Sequence, residues 1–235
     1  MKPNYEIYKE QFSSFVLNEL RGFYDAIAPF YEARGSSGDS LSYFRNHFPR
    51  FEVMISLCLN NGVLPDAIKS ACEIGSFYPY TTYYFKTEND KIEIDLFDII
   101  LREIDAVGEA YNINSVRLYD FNLCTDKLPD YKYDLIILSE VLEHLPINLF
   151  KFEKEIISLM PKGGHLVVTY PLHGNNAKDY GKEYPERDFE RLQEDHVREF
   201  TLETVPLFFN ELTLIGSARF RYPAYGKMIA CLYRR

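Results

Sequence analysis

The stretch YDLIILSEVLEHL, Tyr133 to Leu145, changes character halfway along. Asp134 precedes four consecutive apolar residues, Leu135 to Leu138, and the chain turns polar at Ser139 and Glu140. A short unbroken apolar run closed by polar residues suits a central strand of a parallel sheet, buried on both faces. The following Val141-Leu142-Glu143-His144-Leu145-Pro146 reads as a turn of helix or a loop at the carboxyl end of that strand. In open α/β sheets, ligands bind in the crevice beyond those ends.

Working outward, strands alternate with helices from Ala67 onward, a rhythm that implies a parallel sheet with helices on both faces. Upstream, strands are expected at Ser70–Ile74, around Lys91–Leu96 and at Ser115–Tyr119, with helices over Tyr80–Lys86 and Ile99–Tyr111 between them. Downstream, a helix near Asn148–Leu159 leads through Pro161-Lys-Gly-Gly164 into a strand from His165 to Tyr170. A polar loop from Pro171 to about Asp195 follows, then a helix over Leu202–Phe209 and two strands, Leu212–Phe220 and Lys227–Tyr233.

Before the sheet, apolar residues recur at helical spacing over Asn4–Ala33 and again from Ser40 to Leu57, with Pro49 set to kink or divide the second helix. Residues 1–65 are therefore expected to form a helical extension packed over the domain at 66–235. Its aromatics include Tyr43 and Phe44, and the region is expected to pack over the domain or to serve a homodimer interface.

Composition narrows the function. The 235 residues are 46% hydrophobic and carry a net charge of −9, which excludes the basic footprint of a general nucleic-acid binder. Four cysteines lie far apart without C-x-x-C pairing, fitting neither a zinc site nor a disulfide framework, and no metal is expected. The start, MKPNYEIYKEQ, has no apolar signal core, and no apolar run nears the roughly 18 residues of a membrane span. A soluble cytoplasmic protein without membrane partners is expected.

Asp134 followed by SEVLEHL resembles the fourth-strand motif of class I S-adenosylmethionine-dependent methyltransferases, in the group acting mostly on small molecules. The resemblance extends from about residue 66 to the end. It implies a Rossmann-like fold: a mostly parallel seven-stranded sheet, helices on both faces, and an antiparallel strand supplied by the final pair. It also implies S-adenosylmethionine as cofactor and a small molecule, such as a sugar or other metabolite, as acceptor.

The resemblance assigns residues. Ala71-Cys-Glu-Ile-Gly-Ser-Phe-Tyr-Pro79 stands where the family has an acidic residue followed by G-x-G-x-G. Glu73 holds the acidic position and Gly75 the first glycine, beside Ser76, while Phe77 and Pro79 replace the other two. An aromatic face at Phe77 or Tyr78 would suit a sulfonium cation. Either Asp95 or Asp98 takes the ribose hydroxyls: a strand at Ile92–Ile94 selects the first, the following helix the second. Asp120 matches the contact to the adenine amino group, and Phe121 would offer its backbone N–H to the ring. Ser139 and Glu140 close the cofactor side.

On the acceptor side, His144, His173, His196 and Arg198 lie in segments expected to open onto the cleft. A hydroxyl acceptor needs a general base, and histidine is the side chain suited to that near neutral pH. His144 and His196 are the catalytic candidates. Two competing readings are a nicotinamide-dependent oxidoreductase, disfavoured by the lack of G-x-G-x-x-G, and a catalytically silent member of the fold acting as an interaction partner.

Overall fold

The structure is a computed structural model and describes residues 39–76, 79–98, 116–123, 125–172, 180–181, 196–222 and 226–235. The helices expected over residues 4–33 and 99–111, with Phe77, Tyr78 and His173, lie outside the described residues, as do the side chains of Tyr43, Phe44 and Asp120.

Helix α1 (Asp39–Asn60) is followed by β1 (Ser70–Ile74), α2 (Tyr80–Glu88), β2 (Glu93–Asp98) and β3 (Val116–Asp120). Then come β4 (Leu135–Leu138), α3 (Leu149–Ser158), β5 (His165–Leu172), β6 (Thr213–Tyr222) and β7 (Gly226–Arg234). The strands form one seven-stranded sheet in the order β3-β2-β1-β4-β5-β7-β6. β1 to β5 pair in parallel, and β7 inserts antiparallel between β5 and β6. The strand order reverses between β1 and β4, the switch point at which such sheets open a crevice.

The apolar run Leu135–Leu138 is fully buried because the sheet is covered on both sides. Alternate residues divide between two clusters. One joins Ala71, Ile94, Leu135, Ile137 and Val167 to α1 and α2 through Phe51, Met54 and Phe85. The other joins Cys72, Phe97, Ile136, Leu138 and Val168 to α3 and to Phe200 and Phe208. Cys58, Cys72 and Cys231 are free and buried, packing as apolar side chains.

Helix α1, read from sequence as part of an appended cap, shares a core with the sheet and packs against β5, β6, β7 and α2. Pro49 lies inside it without dividing it. Its end is built by Gly62, at φ +79°, with Gly62 N–H donating to Leu59 O and Val63 N–H to Cys58 O at 3.1 and 3.0 Å. This paired arrangement satisfies carbonyls a helix end would otherwise strand.

Two expected elements are corrected. β2 starts at Glu93 rather than near Lys91: a turn held by Ile92 N–H to Asn89 O (3.2 Å) occupies the preceding residues. Over 202–209 there is no α-helix but turns and a 3₁₀ turn at Val205–Leu207. Pro206 lacks the amide a helix would use, and the Thr204 hydroxyl takes the Thr201 N–H at 2.8 Å. The Thr201 backbone is thereby held by Thr204.

Candidate active site

Of the residues singled out in the sequence, Gly75 and Ser76 follow β1, Asp98 and Asp120 end β2 and β3, and Ser139 and Glu140 follow β4. Gly75 follows β1 at φ +72°, and a Cβ there would lie 2.4 Å from Cγ2 of Val141, in the turn after β4. Only glycine permits this approach of the two loops. The Gly75 and Ser76 amides both donate to Phe97 O, at 2.8 and 3.3 Å, which draws the loop over the end of β2.

Glu73 is buried, and its carboxylate accepts from both the backbone N–H (3.3 Å) and the hydroxyl of Thr82. Thr82 lies in the first turn of α2, where free amides and the helix dipole favour an acidic partner. Glu73 thus shapes the loop by fixing the helix behind it. Burial raises its pKa to about 7, against the lowering effect of the Thr82 bonds and Arg50.

The two aspartates on β2 separate cleanly. Asp95 is mid-strand and 2% exposed, and its carboxylate is taken by Arg117, at 2.5 and 3.1 Å, and by the Tyr133 hydroxyl. Asp98 is the last residue of β2, at the crevice, in register with Asp120 at the end of β3. The Phe121 N–H, expected to face an adenine ring, instead donates to Asp98 O at 2.9 Å and extends the β2–β3 ladder. Its ring packs edge-on against Phe97.

After β4 the backbone turns sharply, with Glu140 at φ +55° and its N–H donating to Thr169 Oγ1 at 3.0 Å. A glutamate held in left-handed conformation is a strained residue, of the kind that gathers at functional sites. Its carboxylate meets Arg50 Nη1 at 2.7 Å, with His47 Nδ1 at 4.0 Å, so α1 reaches the end of the central strand. Burial first, then Arg50, lowers the His47 pKa to about 3, keeping the ring neutral. Ser139 is buried, and its hydroxyl has no partner among the described residues.

Farther along the turn, Glu143 is buried while His144 is part-exposed, its Nε2 4.0 Å from Glu143 Oε1. Burial and then neighbouring Glu140 push the Glu143 pKa well up. The ring of His196 meets that of His144 edge-on, centroids 5.0 Å apart. The two histidines singled out from sequence are thus neighbours. The Val197 and Arg198 amides hold this segment by donating to Glu143 O at 2.8 and 3.2 Å. Arg198, expected to face the cleft, is instead fully buried and donates to Ile147 O at 2.5 Å, fastening the segment from beneath.

Sequence reasoning missed Arg50 and His47, which belong to no motif and face the site only through the packing of α1. It quoted Glu143 but gave it no role, although its adjacency to His144 carried that signal.

Gly75 makes a cradle that a Cβ would fill, Ser139 offers a buried hydroxyl with no partner among the described residues, and aspartates end β2 and β3. These residues fit a nucleoside-bearing cofactor laid across the switch point. The family model Methyltransf_23, a methyltransferase domain, matches residues 62–211. No curated protein sequence matches significantly.

Among solved structures, the chain is similar to N-methyltransferase NodS from Bradyrhizobium japonicum, crystallised with S-adenosylhomocysteine. The TM-score is 0.58 at 18% identity, over 81% of this chain and 87% of that one. It is also similar to 1,6-didemethyltoxoflavin-N1-methyltransferase from Burkholderia thailandensis, with TM-score 0.55, 14% identity, and 88% and 90% of the two chains covered. Coclaurine N-methyltransferase gives TM-score 0.61 at 10% identity, over 77% and 69%. With the family model covering most of the chain and the sheet in this order, the chain belongs to the class I S-adenosylmethionine-dependent methyltransferases.

Proposed function

We propose that the chain methylates a small-molecule acceptor bound between the turn after β4, the segment at His196 and the amino-terminal half of α1. The observation that carries this reading is that Gly75, Asp98, Ser139 and Glu140 stand at the carboxyl ends of β1, β2 and β4, where the strand order reverses, with His144 four residues beyond Glu140 and in ring contact with His196. The cofactor supplies an electrophilic methyl group on a sulfonium when bound.

On the cofactor side, Asp98 accepts the ribose hydroxyls, a charge-assisted pairing. Asp95 cannot serve, because Arg117 and Tyr133 consume its carboxylate. Asp120 takes the adenine amino group, and Ser139 lends its hydroxyl to the same ligand. Glu73 acts one step removed, by holding α2 and so the loop at Gly75.

On the acceptor side, Tyr43 and Phe44 stand one helical turn before His47 and extend the face of α1 that reaches Glu140. These aromatics exclude water from the reacting atoms. Displacement at carbon needs alignment above all, and a hydroxyl acceptor needs its proton removed, a role open to His144 or His196. Three of the similar structures are N-methyltransferases, so an amine acceptor belongs in the same test.

The test is release of S-adenosylhomocysteine from S-adenosylmethionine across a panel of hydroxyl- and amine-bearing metabolites. Turnover with at least one acceptor is expected. His144→Ala should slow it by roughly 10²- to 10⁴-fold while leaving cofactor affinity nearly unchanged. If His144→Ala keeps full activity on a hydroxyl acceptor and His196→Ala loses it, the proton role belongs to His196. No turnover despite cofactor binding would favour a silent interaction protein.

A further inference from the structure

We infer that Glu143, His144 and His196 form a site for one divalent transition-metal ion, open on its solvent side to an oxygen of the acceptor. One ligand atom from each residue lies within 4.8 Å of the other two, and His144 Nε2 is 4.0 Å from Glu143 Oε1. Metal bonds of ~2.0–2.2 Å would set neighbouring ligand atoms about 3–3.5 Å apart, so closing the site needs side-chain shifts of about 1 Å. The backbone is already in place, because the Val197 and Arg198 amides tie the His196 segment to the carbonyl of Glu143 itself.

A second observation points to a missing cation. Glu143 is 1% exposed, yet its Oε2 has no hydrogen-bond partner among the described residues. A buried carboxylate oxygen left bare is costly, and such groups are normally paired or bound to metal. Arg50, the cation whose field reaches Glu143, makes its 2.7 Å contact with Glu140. An ion between Glu143 and the histidines would give Oε2 a partner.

The donor set indicates the kind of ion. Two imidazoles and one carboxylate with open positions suit borderline ions such as Zn²⁺, Co²⁺ or Mn²⁺ better than Mg²⁺ or Ca²⁺. His196 is exposed and His144 part-exposed, so the remaining positions face solvent. An acceptor hydroxyl bound there would lose its proton to solvent water more readily, as metal-bound water does. In the loaded protein the two imidazoles are then ligands rather than bases, and the favoured acceptor is oxygen-bearing. This role rests on the methyl-transfer reading; binding of the ion does not.

The test uses untagged full-length protein stripped with a chelator, then titrated with CoCl₂ and with ZnCl₂, S-adenosylhomocysteine binding being measured separately by calorimetry. Expected are one Co²⁺ per chain with visible ligand-field bands, and a melting temperature raised by Zn²⁺. In His196→Ala, an exposed position that should tolerate truncation, Co²⁺ affinity should fall at least tenfold, with melting in chelator unchanged. His144→Ala should behave likewise.

Failure of the wild-type protein to take up Co²⁺ or Zn²⁺, or uptake undiminished in both variants, overturns the site. If S-adenosylhomocysteine binds but metal does not, this inference alone fails. If metal binds but S-adenosylhomocysteine does not, the cofactor reading fails and the metal site stands.

Discussion

Asp95 and Asp98 are three residues apart and do different work. An odd spacing along a strand sends their side chains to opposite faces, and only Asp98 also stands at the strand's end. Asp98→Ala is expected to weaken S-adenosylhomocysteine binding by about 1–3 kcal/mol. Asp95→Ala should instead lower stability by about 1–3 kcal/mol through the stranded Tyr133 hydroxyl. Calorimetry and thermal melts on both variants check the pair, and equal effects would contradict the division.

Glu73 offers a test by pH. Its folded pKa, raised to about 7, exceeds the ordinary value of 4.5, so the folded state holds the proton more tightly. Stability from this group is complete below about pH 4.5 and is lost as pH rises through about 7, amounting to about 3 kcal/mol. In denaturant melts, Glu73→Gln should remove that loss, so the variant gains on wild type between those limits. An unchanged pH profile would mean that the carboxylate is ionised throughout.

At the scale of elements, the loops after β1 and β4 are built against each other, and Gly75 is the point of contact. Gly75→Ala meets both a left-handed backbone and Cγ2 of Val141. The backbone alone costs about 1–2 kcal/mol, and the collision adds to it. Adding Val141→Ala should restore part of the lost stability but not all, because the φ strain persists. Denaturant melts of the single and double variants check this, and a full rescue would place the whole cost in the collision.

The elements also show where the sequence was legible. Leu135–Leu138 was readable because a strand buried on both faces has an unbroken apolar run with polar ends. β2 was misplaced by two residues because Lys91-Ile92-Glu93-Ile94 alternates as a strand does, while Asn89 bends its start into a turn. Leu202–Phe209 misled for another reason. Its apolar spacing suits a helix, and Pro206 with the Thr201–Thr204 contacts overrides it.

The site was legible where function sits on a strand end and obscure where tertiary packing delivers a residue. Gly75, Asp120 and Glu140 follow their strands directly, so finding the strand finds the residue. Arg50 and His47 arrive from a helix far back in the chain, and no local pattern could aim them at Glu140. Arg198 shows the limit from the other side: a charged residue in a loop beside the cleft points inward to a carbonyl.

Across the whole molecule, one architectural fact separates this chain from an ordinary dinucleotide-binding protein. β7 enters antiparallel between β5 and β6, and α1 then covers that half of the sheet. Helix α1 is thereby joined to the core on one side and reaches the crevice on the other. Among the described residues no helix is long and apolar enough to cross a membrane. The net charge of −9 argues against the basic footprint that a general nucleic-acid binder needs. The most direct measurement is calorimetric titration of the purified chain with S-adenosylhomocysteine. The account predicts saturable one-to-one binding that NAD does not reproduce, and absence of heat at millimolar ligand would contradict it.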